Sequence, residues 1–191
     1  MLISIDATLD TVFQDLKHEL RRGTLDKKHP FRFVVLSTVC NQAADARYVV
    51  MRMIDASLNL VFYSDSRTEK VKSILQNPKV SLTCYHPQKR AQVRIQADAL
   101  IHQGDDMAHA HWSRVQGEAQ KAYNSKLAPG TPIVEPSAAF VWEDQLDDPR
   151  YFAVIELKPI MFEVLQLNGL EHQRAQFFLK NDSWEGSWIV P

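Results

Sequence analysis

The stretch from residue 45 to residue 100 constrains the fold more than any other part of the chain. Its residues predict four short strands, two on each side of a short helix that begins near Ser66. The first two strands, 46–54 and 58–63, are separated only by Asp55-Ala56-Ser57, which favours an antiparallel hairpin. Because the strands follow one another without strand–helix–strand alternation, an antiparallel barrel is favoured over a parallel sheet.

The next two predicted strands, 79–86 and 90–101, repeat the pattern and show a sheet with two different faces. Every second residue of the latter strand is apolar, and the residues between them are mostly polar. The apolar set is Ala91, Val93, Ile95, Ala97, Ala99 and Ile101, and the polar set is Arg90, Gln92, Arg94, Gln96 and Asp98. We therefore expect one buried face and one face that meets solvent or a ligand.

The remaining segments complete one predicted domain, 1–191, that is mainly β with flanking helices (α+β). The N-terminal helix is amphipathic, with Asp6 or Thr8 as its cap and Gly23 at its end. Pro159 predicts an edge, bulge or bend in a late strand. In chain order, the predicted elements are a helix at about 7–21, barrel strands within about 31–102, a helical segment and long loop at about 104–150, and barrel strands within about 151–190.

Composition excludes several classes of partner. The 191 residues are 45% hydrophobic and 24% charged, which is ordinary for a soluble globular domain. The formal net charge of −1 gives no global basic field for nucleic acid. No signal peptide or apolar run of membrane length is found, so we expect no membrane partner and a cytoplasmic location. The local clustering of Arg and Lys in the central stretch then suggests a small anion.

No metal site is predicted. Cys40 and Cys84 lack metal-type spacing and lie in apolar surroundings, which favours buried thiols. His109 and His111 are two residues apart, so on a helix they do not face each other.

The start of the central helix, Ser64 to Lys70, is rich in hydroxyls and cations. Ser66 and Glu69 have the spacing of a capping box, with Ser66 as the N-cap. Arg67 and Lys70 work against the helix dipole, and a bound anion would reverse that effect. Taken alone, the segment favours an ordinary exposed cap with solvated cations, because short motifs often match by chance.

The neighbouring strands change that balance. Arg-x-Val-Val-x-Arg at 47–52, Phe-Tyr-Ser-Asp at 62–65, Lys70, Asn-Pro-x-Val-Ser-Leu at 77–82 and Gln92-Val93 occur in this order. The ordered set resembles the pyridoxamine 5'-phosphate oxidase family, over roughly residues 31–102. The resemblance implies an antiparallel split β-barrel that binds FMN at the interface of a homodimer.

The resemblance also implies which residues hold FMN and substrate. By this resemblance the phosphate is bound by Arg47, Thr68 and Lys70, with Ser64, Ser66 and Arg67 nearby. The edge of the flavin is contacted by the backbone of Val49, Val50 and Met51, by Tyr63 and Ser64, and by Gln92. Arg52 stands where the family has a lysine near both flavin and substrate, and the substrate side further includes Arg114, His172 and Arg174.

Spacing adds one geometric condition. Arg47 and Arg52 are five residues apart, so a regular strand directs them to opposite faces about 16 Å apart. Unless the strand is bulged, they contact opposite ends of one long ligand instead of one phosphate. A solvated strand arginine is an equal alternative for Arg52.

The departures from the family lie on the substrate side. His172-Gln173-Arg174 replaces the oxidase's Arg-Leu-His, and Ala110 replaces a tyrosine before Ser113-Arg114. We therefore expect an FMN-dependent oxidoreductase of unassigned substrate. Two alternatives stay open: a flavin reductase that uses another electron donor, and a flavin-binding or sensing module without turnover.

Overall fold

An antiparallel sheet of nine strands dominates the computed structural model, which describes residues 1–191. The strands are β1 (Phe33–Cys40), β2 (Ala43–Val50), β3 (Met53–Ile54), β4 (Leu60–Asp65), β5 (Lys79–His86), β6 (Ala91–His102), β7 (Phe152–Gln166), β8 (Gln173–Lys180) and β9 (Ser183–Ile189). Neighbours along the main path are β2-β1-β5-β6-β7-β4-β3, and β8 and β9 continue from β7. The predicted mainly-β, antiparallel architecture is confirmed.

The sheet does not close, because β2 and β3 remain its end strands. The Cα atoms of β2 and β4 come within 8 Å of each other, yet these strands do not pair. The short strand β3 covers β4 only at Leu60 and Val61. The gap between β2 and the uncovered part of β4, Phe62–Asp65, is called the seam below.

Apolar residues on the inner face of the sheet form the core. Burial alternates along β6 from Ala91 to Ala99, as its sequence predicts. Phe31, Leu36, Phe62 and Phe162 are fully buried there, and each such side chain contributes roughly 1.5–3 kcal/mol by leaving water. Pro159 lies opposite a register shift at Gln96/Ala97, which confirms the predicted bulge.

The N-terminal helix α1 (Leu9–Leu25) runs further than predicted. Thr8 caps it and forms a capping box with Thr11. The prediction that Gly23 ends the helix is wrong, because Gly23 lies inside it. A Cβ there would meet Phe31 and Met51 at 2.8–2.9 Å, so the glycine permits close packing.

The central helix α2 (Glu69–Gln76) begins later than predicted. Thr68 is its N-cap, and the prediction that Ser66 caps it is wrong. The Asp65 carboxylate accepts from the backbone N–H of Arg67 at 2.8 Å, and this local turn moves the helix start by two residues.

Strand and helix boundaries differ at two further places. The strand predicted over 46–54 is interrupted after Val50, and Met51 and Arg52 lie outside β2 and β3. The helical segment predicted from about residue 104 is split into α3 (Asp106–Trp112) and a 3₁₀ segment, Gly117–Tyr123. Two shorter 3₁₀ segments span Pro30–Arg32 and Pro136–Ala139. None of the helices has the length and apolar character needed to cross a membrane.

Candidate functional site

Four polar side chains converge at one end of the seam. The Lys70 ammonium donates to the Ser64 hydroxyl at 3.2 Å, and the Ser64 and Thr68 hydroxyl oxygens lie 3.1 Å apart. Arg47 comes from β2, on the other side of the seam. It donates to the Thr38 hydroxyl at 2.8 Å and forms an ion pair with Asp45. We call Arg47, Ser64, Thr68 and Lys70 the α2 cluster.

The α2 cluster places two cations beside two buried hydroxyls. Burial lowers the pKa of Lys70, and the positive charge of Arg47 lowers it further. Ser64 and Thr68 are themselves buried. Two cations, two hydroxyls and a helix start are the groups that bind a phosphate. The chemistry of this donor set therefore fits the phosphate of a flavin mononucleotide.

Arg67 and Ser66 lie beside this cluster but are held by other partners. The Arg67 guanidinium pairs with Asp65 at 2.7 Å and donates to the carbonyl of Ser125 at 2.8 Å. Its Cζ atom lies 3.6 Å from the ring centroid of Tyr151. The backbone N–H of Ser66 donates to the Tyr151 carbonyl at 2.8 Å. Arg67 thus connects the start of α2 to the long loop after residue 124.

Part of the backbone of β4 faces the seam without a strand partner. The N–H of Arg52 donates to the carbonyl of Val61. The backbone N–H and carbonyl groups of alternate residues in a strand point to the same edge. Those of Tyr63 therefore point the same way as those of Val61, towards the edge of β4 that β3 leaves uncovered. Val49 and Val50 lie on β2 across the gap, and the buried Met51 follows them. Of the predicted flavin-edge residues, Val49, Val50 and Tyr63 thus lie along the seam, whereas the backbone N–H and carbonyl of Met51 are both bonded to Arg32.

A separate cavity of about 220 Å³ opens next to the seam. It is lined by Arg52, Tyr63, Arg114, Val115, Ala119, Ala122 and Tyr123. The Arg52 guanidinium lies 5.3 Å from the ring centroid of Tyr63, a cation–π distance. Arg52 and Arg114, two predicted substrate residues, are thus brought together, whereas Arg47 belongs to the α2 cluster. Their five-residue spacing does not by itself explain this separation, because the strand is interrupted after Val50 and Arg52 lies outside it.

His111 is a member of this site that the sequence reasoning missed. Its Nδ1 lies 2.9 Å from the Tyr63 hydroxyl, and the residue is 5% exposed. Burial lowers the pKa of His111, and the charges of Arg114 and His102 add to this. The available signal was helical spacing, because Ala108, His111, Trp112 and Val115 form one buried face.

The other predicted residues lie elsewhere in the subunit. Gln92 is opposite Tyr85 on β5 and Leu165 on β7, and Leu165 is opposite Arg174 on β8. Directly paired residues share a face, so Gln92 and Arg174 lie on the same face of the sheet. Arg174 pairs with the buried Glu163 at 2.9 Å, and His172 is exposed.

This face is the outer one, away from the α2 cluster. Arg47 is opposite the buried Leu36, which in turn is opposite Leu82 of β5. Tyr85 is three residues from Leu82, so it projects to the opposite face. One subunit therefore does not bring Gln92 and Arg174 together with Arg47 and Lys70.

A second polar cluster contains a carboxylate and two histidines, which are residue types that can bind a metal ion, but its role is structural. The carboxylate of Glu19 on α1 lies 3.0 Å from His29 Nε2, 3.5 Å from His86 Nε2 and 3.1 Å from Lys89 Nζ. Burial alone would raise the pKa of Glu19, but hydrogen bonds from Lys89 and His29 outweigh it and lower that pKa.

Both histidine rings of this cluster accept a backbone N–H at Nδ1. Phe31 donates to His29 at 3.1 Å and Lys89 donates to His86 at 3.2 Å. Each neutral ring therefore carries its proton on Nε2, the atom that faces Glu19, and has no lone pair there for a metal ion. We conclude that this cluster holds α1 against the sheet.

An antiparallel split barrel with a phosphate-type donor set at its seam defines a class of flavin-binding domains. Residues 11–103 match the sequence profile of the family described as pyridoxamine 5'-phosphate oxidase, FMN-binding domain. Over this segment the chain matches the pyridoxamine 5'-phosphate oxidase-related family, and the matched domain implies FMN as its cofactor. The family predicted from the ordered motifs is thereby confirmed.

Solved structures support the same fold across nearly the whole chain. A pyridoxamine 5'-phosphate oxidase-related, FMN-binding protein from Nostoc punctiforme is 24% identical, with a TM-score of 0.78 over 93% of this chain and 96% of that one. PhzG from Burkholderia lata, solved with tetrahydrophenazine-1-carboxylic acid, is 16% identical, with a TM-score of 0.77 over 97% of this chain and 95% of that one. No curated protein sequence matches the chain.

Proposed function

We propose that the protein is a homodimeric, FMN-dependent oxidoreductase that acts on a small anionic substrate. The observation that carries this proposal is the adjacency of two anion-type sites across one strand. Ser64 of β4 belongs to the α2 cluster, and its neighbour Tyr63 lines the cavity with Arg52 and Arg114. Successive residues of a strand face opposite sides, so β4 separates the two sites.

In this proposal each part of the site has one task. FMN, when bound, supplies the redox chemistry. Lys70, Arg47, Ser64 and Thr68 hold its phosphate, and the backbone of Val49, Val50 and Tyr63 meets the flavin edge. Arg52 and Arg114 orient an anionic group of the substrate, while Tyr123 and Val115 exclude water from the cavity. The Tyr63 hydroxyl, bonded to His111, is positioned to hold a proton at the cavity wall.

The distribution of the predicted residues supports the homodimer. Gln92 and Arg174 lie on the outer face, so they join a flavin site only if a second subunit supplies them. That face also exposes large apolar side chains, including Phe33 (56% exposed), Tyr48 (74%) and Tyr85 (47%). An exposed apolar sheet face of this kind marks a protein–protein contact. Light scattering of the FMN-loaded protein should give twice the mass of the chain; a fully loaded monomer would contradict the dimer.

The first test is the absorbance spectrum of the purified protein, followed by a screen of reduced substrates and of nicotinamide donors under anaerobic conditions. Bleaching of bound flavin by a small organic anion, lost in Arg114→Ala, supports the oxidoreductase. Bleaching by a nicotinamide donor alone identifies a reductase instead.

A flavin-binding module without turnover is the second candidate. It is favoured by the exposure of His172 and by the ion pair that occupies Arg174. Stable FMN binding with no bleaching by any reductant in the screen would select this alternative.

A further inference from the structure

A cavity beside α1 shares no lining residue with the candidate flavin and substrate sites. It lies between α1, the turn after β3, the middle of β7 and the tip of the β8–β9 hairpin. Its volume is about 440 Å³, within the range of roughly 300–1,000 Å³ that small-molecule sites occupy. None of its lining residues belongs to the α2 cluster or to the cavity at Arg52.

Positive charge dominates the lining of this α1 cavity. Three cations, Lys17, Arg21 and Lys158, face it, against one carboxylate, Asp182. Lys17 and Arg21 are four residues apart on α1 and so lie side by side on one helix face. Neither forms an ion pair within the chain, and Lys158 has only a long contact of 3.9 Å with Glu156. Like charges at this spacing destabilise a helix, and a bound anion would remove that repulsion.

Aromatic side chains form the apolar part of the lining. The ring centroids of Phe13 and Trp184 lie 5.6 Å apart, and both residues are half-buried. The Lys17 ammonium lies 5.1 Å from the ring centroid of Phe13, so charge and aromatic surface meet at one point. A ligand that suits this lining has a flat apolar body and an anionic group.

A strained backbone position borders the same cavity. Leu58 has φ +69° and is 3% exposed. A buried, branched residue in the left-handed region is an outlier, and such strain concentrates at functional sites. The turn is held in place because Asp55 accepts from both the backbone N–H and the side-chain amide of Asn59, at 2.8 and 2.9 Å.

We propose that the α1 cavity is a second binding site, for a small aromatic carboxylate, sulfonate or phosphate. Lys17, Arg21 and Lys158 bind the anionic group, and Phe13 and Trp184 stack against the apolar body. This inference goes beyond the proposed function, because it assigns a ligand site with its own lining residues and does not depend on turnover.

The test uses the protein as purified, with bound FMN retained and free FMN removed by gel filtration. The probe is 2-naphthalenesulfonate, and its uncharged analogue 2-naphthalenemethanol is titrated in parallel. Binding is followed by calorimetry and by the indole resonances of the four tryptophans, with that of Trp184 assigned through Trp184→Phe. We expect saturable binding of the sulfonate that shifts the Trp184 resonance, and binding at least about tenfold weaker for the alcohol.

Matched variants locate the charge. Lys17→Gln/Arg21→Gln keeps most of each side-chain stem and should weaken sulfonate binding by about tenfold or more. The control Lys27→Gln/Lys28→Gln removes the same charge from two exposed residues just after α1 and should leave the affinity unchanged. A second variant, Lys158→Gln, tests the cavity without touching α1. No saturation, equal affinity for the alcohol, or unchanged affinity in both cavity variants would overturn the proposal.

Discussion

The hydroxyl of Tyr63 and Nδ1 of His111 lie 2.9 Å apart, so one hydrogen bond joins β4 to α3 at the wall of the candidate substrate cavity. The pair is partly buried, and the ring planes meet edge to face at 69°. Burial lowers the pKa of His111, as do the charges of Arg114 and His102. The folded protein therefore prefers the neutral imidazole.

This preference makes stability depend on pH. As the pH decreases, the histidine of the unfolded chain takes up a proton near the ordinary pKa of about 6.5. Folded His111 takes up its proton only at a lower pH. The free energy of unfolding therefore falls as pH decreases from about 6.5 towards the lowered pKa of the folded state. His111→Gln removes this contribution, and we expect a smaller loss of unfolding free energy between pH 7.5 and 5.5 in urea titrations. His109→Gln, an exposed position on the same helix, is the control and should keep the wild-type pH dependence.

Gly23→Ala should destabilise the protein even though alanine favours helices by about 1 kcal/mol over glycine. The new Cβ would lie 2.9 Å from the Phe31 backbone oxygen and 2.8 Å from Met51 Cε. The backbone of Phe31 cannot move away without disturbing its neighbours, so we expect a net loss of roughly 1–3 kcal/mol in unfolding free energy. Gln14→Ala, an exposed position on α1, should change stability little; a more stable Gly23→Ala protein would show that Phe31 can shift.

The contrast between Gly23 and Pro159 illustrates what the sequence could predict. Local patterns identified the strands, the bulge near Pro159 and the polar start of α2, because alternation and turn chemistry act over a few residues. Gly23 was misassigned because its reason is tertiary: a close approach of Phe31 and Met51 that no neighbouring residue signals.

The candidate site was predicted unevenly for the same reason. The residues from Ser64 to Lys70 are close in sequence, so their grouping follows from one helix start. His111 was missed because its partner Tyr63 is 48 residues away. The separation of Gln92 from Arg47 depends on strand order and facing, which the motifs alone do not determine.

Oxidation of pyridoxamine 5'-phosphate should be slow or absent. The positions that correspond to the oxidase's Arg-Leu-His hold an exposed His172 and an Arg174 that is paired with Glu163. Loss of a hydrogen-bonding subsite reduces specificity by about 10⁴-fold or more. Oxygen consumption by the FMN-loaded protein should stay far below about 1 s⁻¹. Turnover at or above that rate would show that His172 and Arg174 perform the family's task.

Mixing two inactive variants should restore flavin binding if the site is shared between subunits. Lys70→Glu damages the α2 cluster, and Gln92→Ala damages the outer face. In a mixed dimer, one site combines the intact cluster of one subunit with the intact Gln92 of the other. We expect FMN occupancy, measured after co-expression and tandem-affinity purification of the mixed dimer, to approach one site per dimer. Occupancy no higher than in either parent would place the whole site within one subunit.

Lys70→Glu should abolish tight FMN binding and leave the fold intact. The Lys70 ammonium lies 3.2 Å from Ser64 Oγ within the α2 cluster, and a carboxylate there would repel the phosphate dianion. Losing one charge-assisted bond costs roughly 1.5–3 kcal/mol, so FMN affinity should fall by about tenfold to a hundredfold or more. The apo-protein should be as stable or slightly more stable, because a carboxylate suits the first turn of a helix.

Lys72→Glu makes the same charge change on the solvent side of α2 and should keep FMN affinity. Flavin fluorescence quenching measures binding, with circular dichroism as the folding control. Riboflavin lacks the phosphate and should bind Lys70→Glu and wild type equally weakly. An unchanged FMN affinity in Lys70→Glu would show that the phosphate does not bind at the α2 cluster.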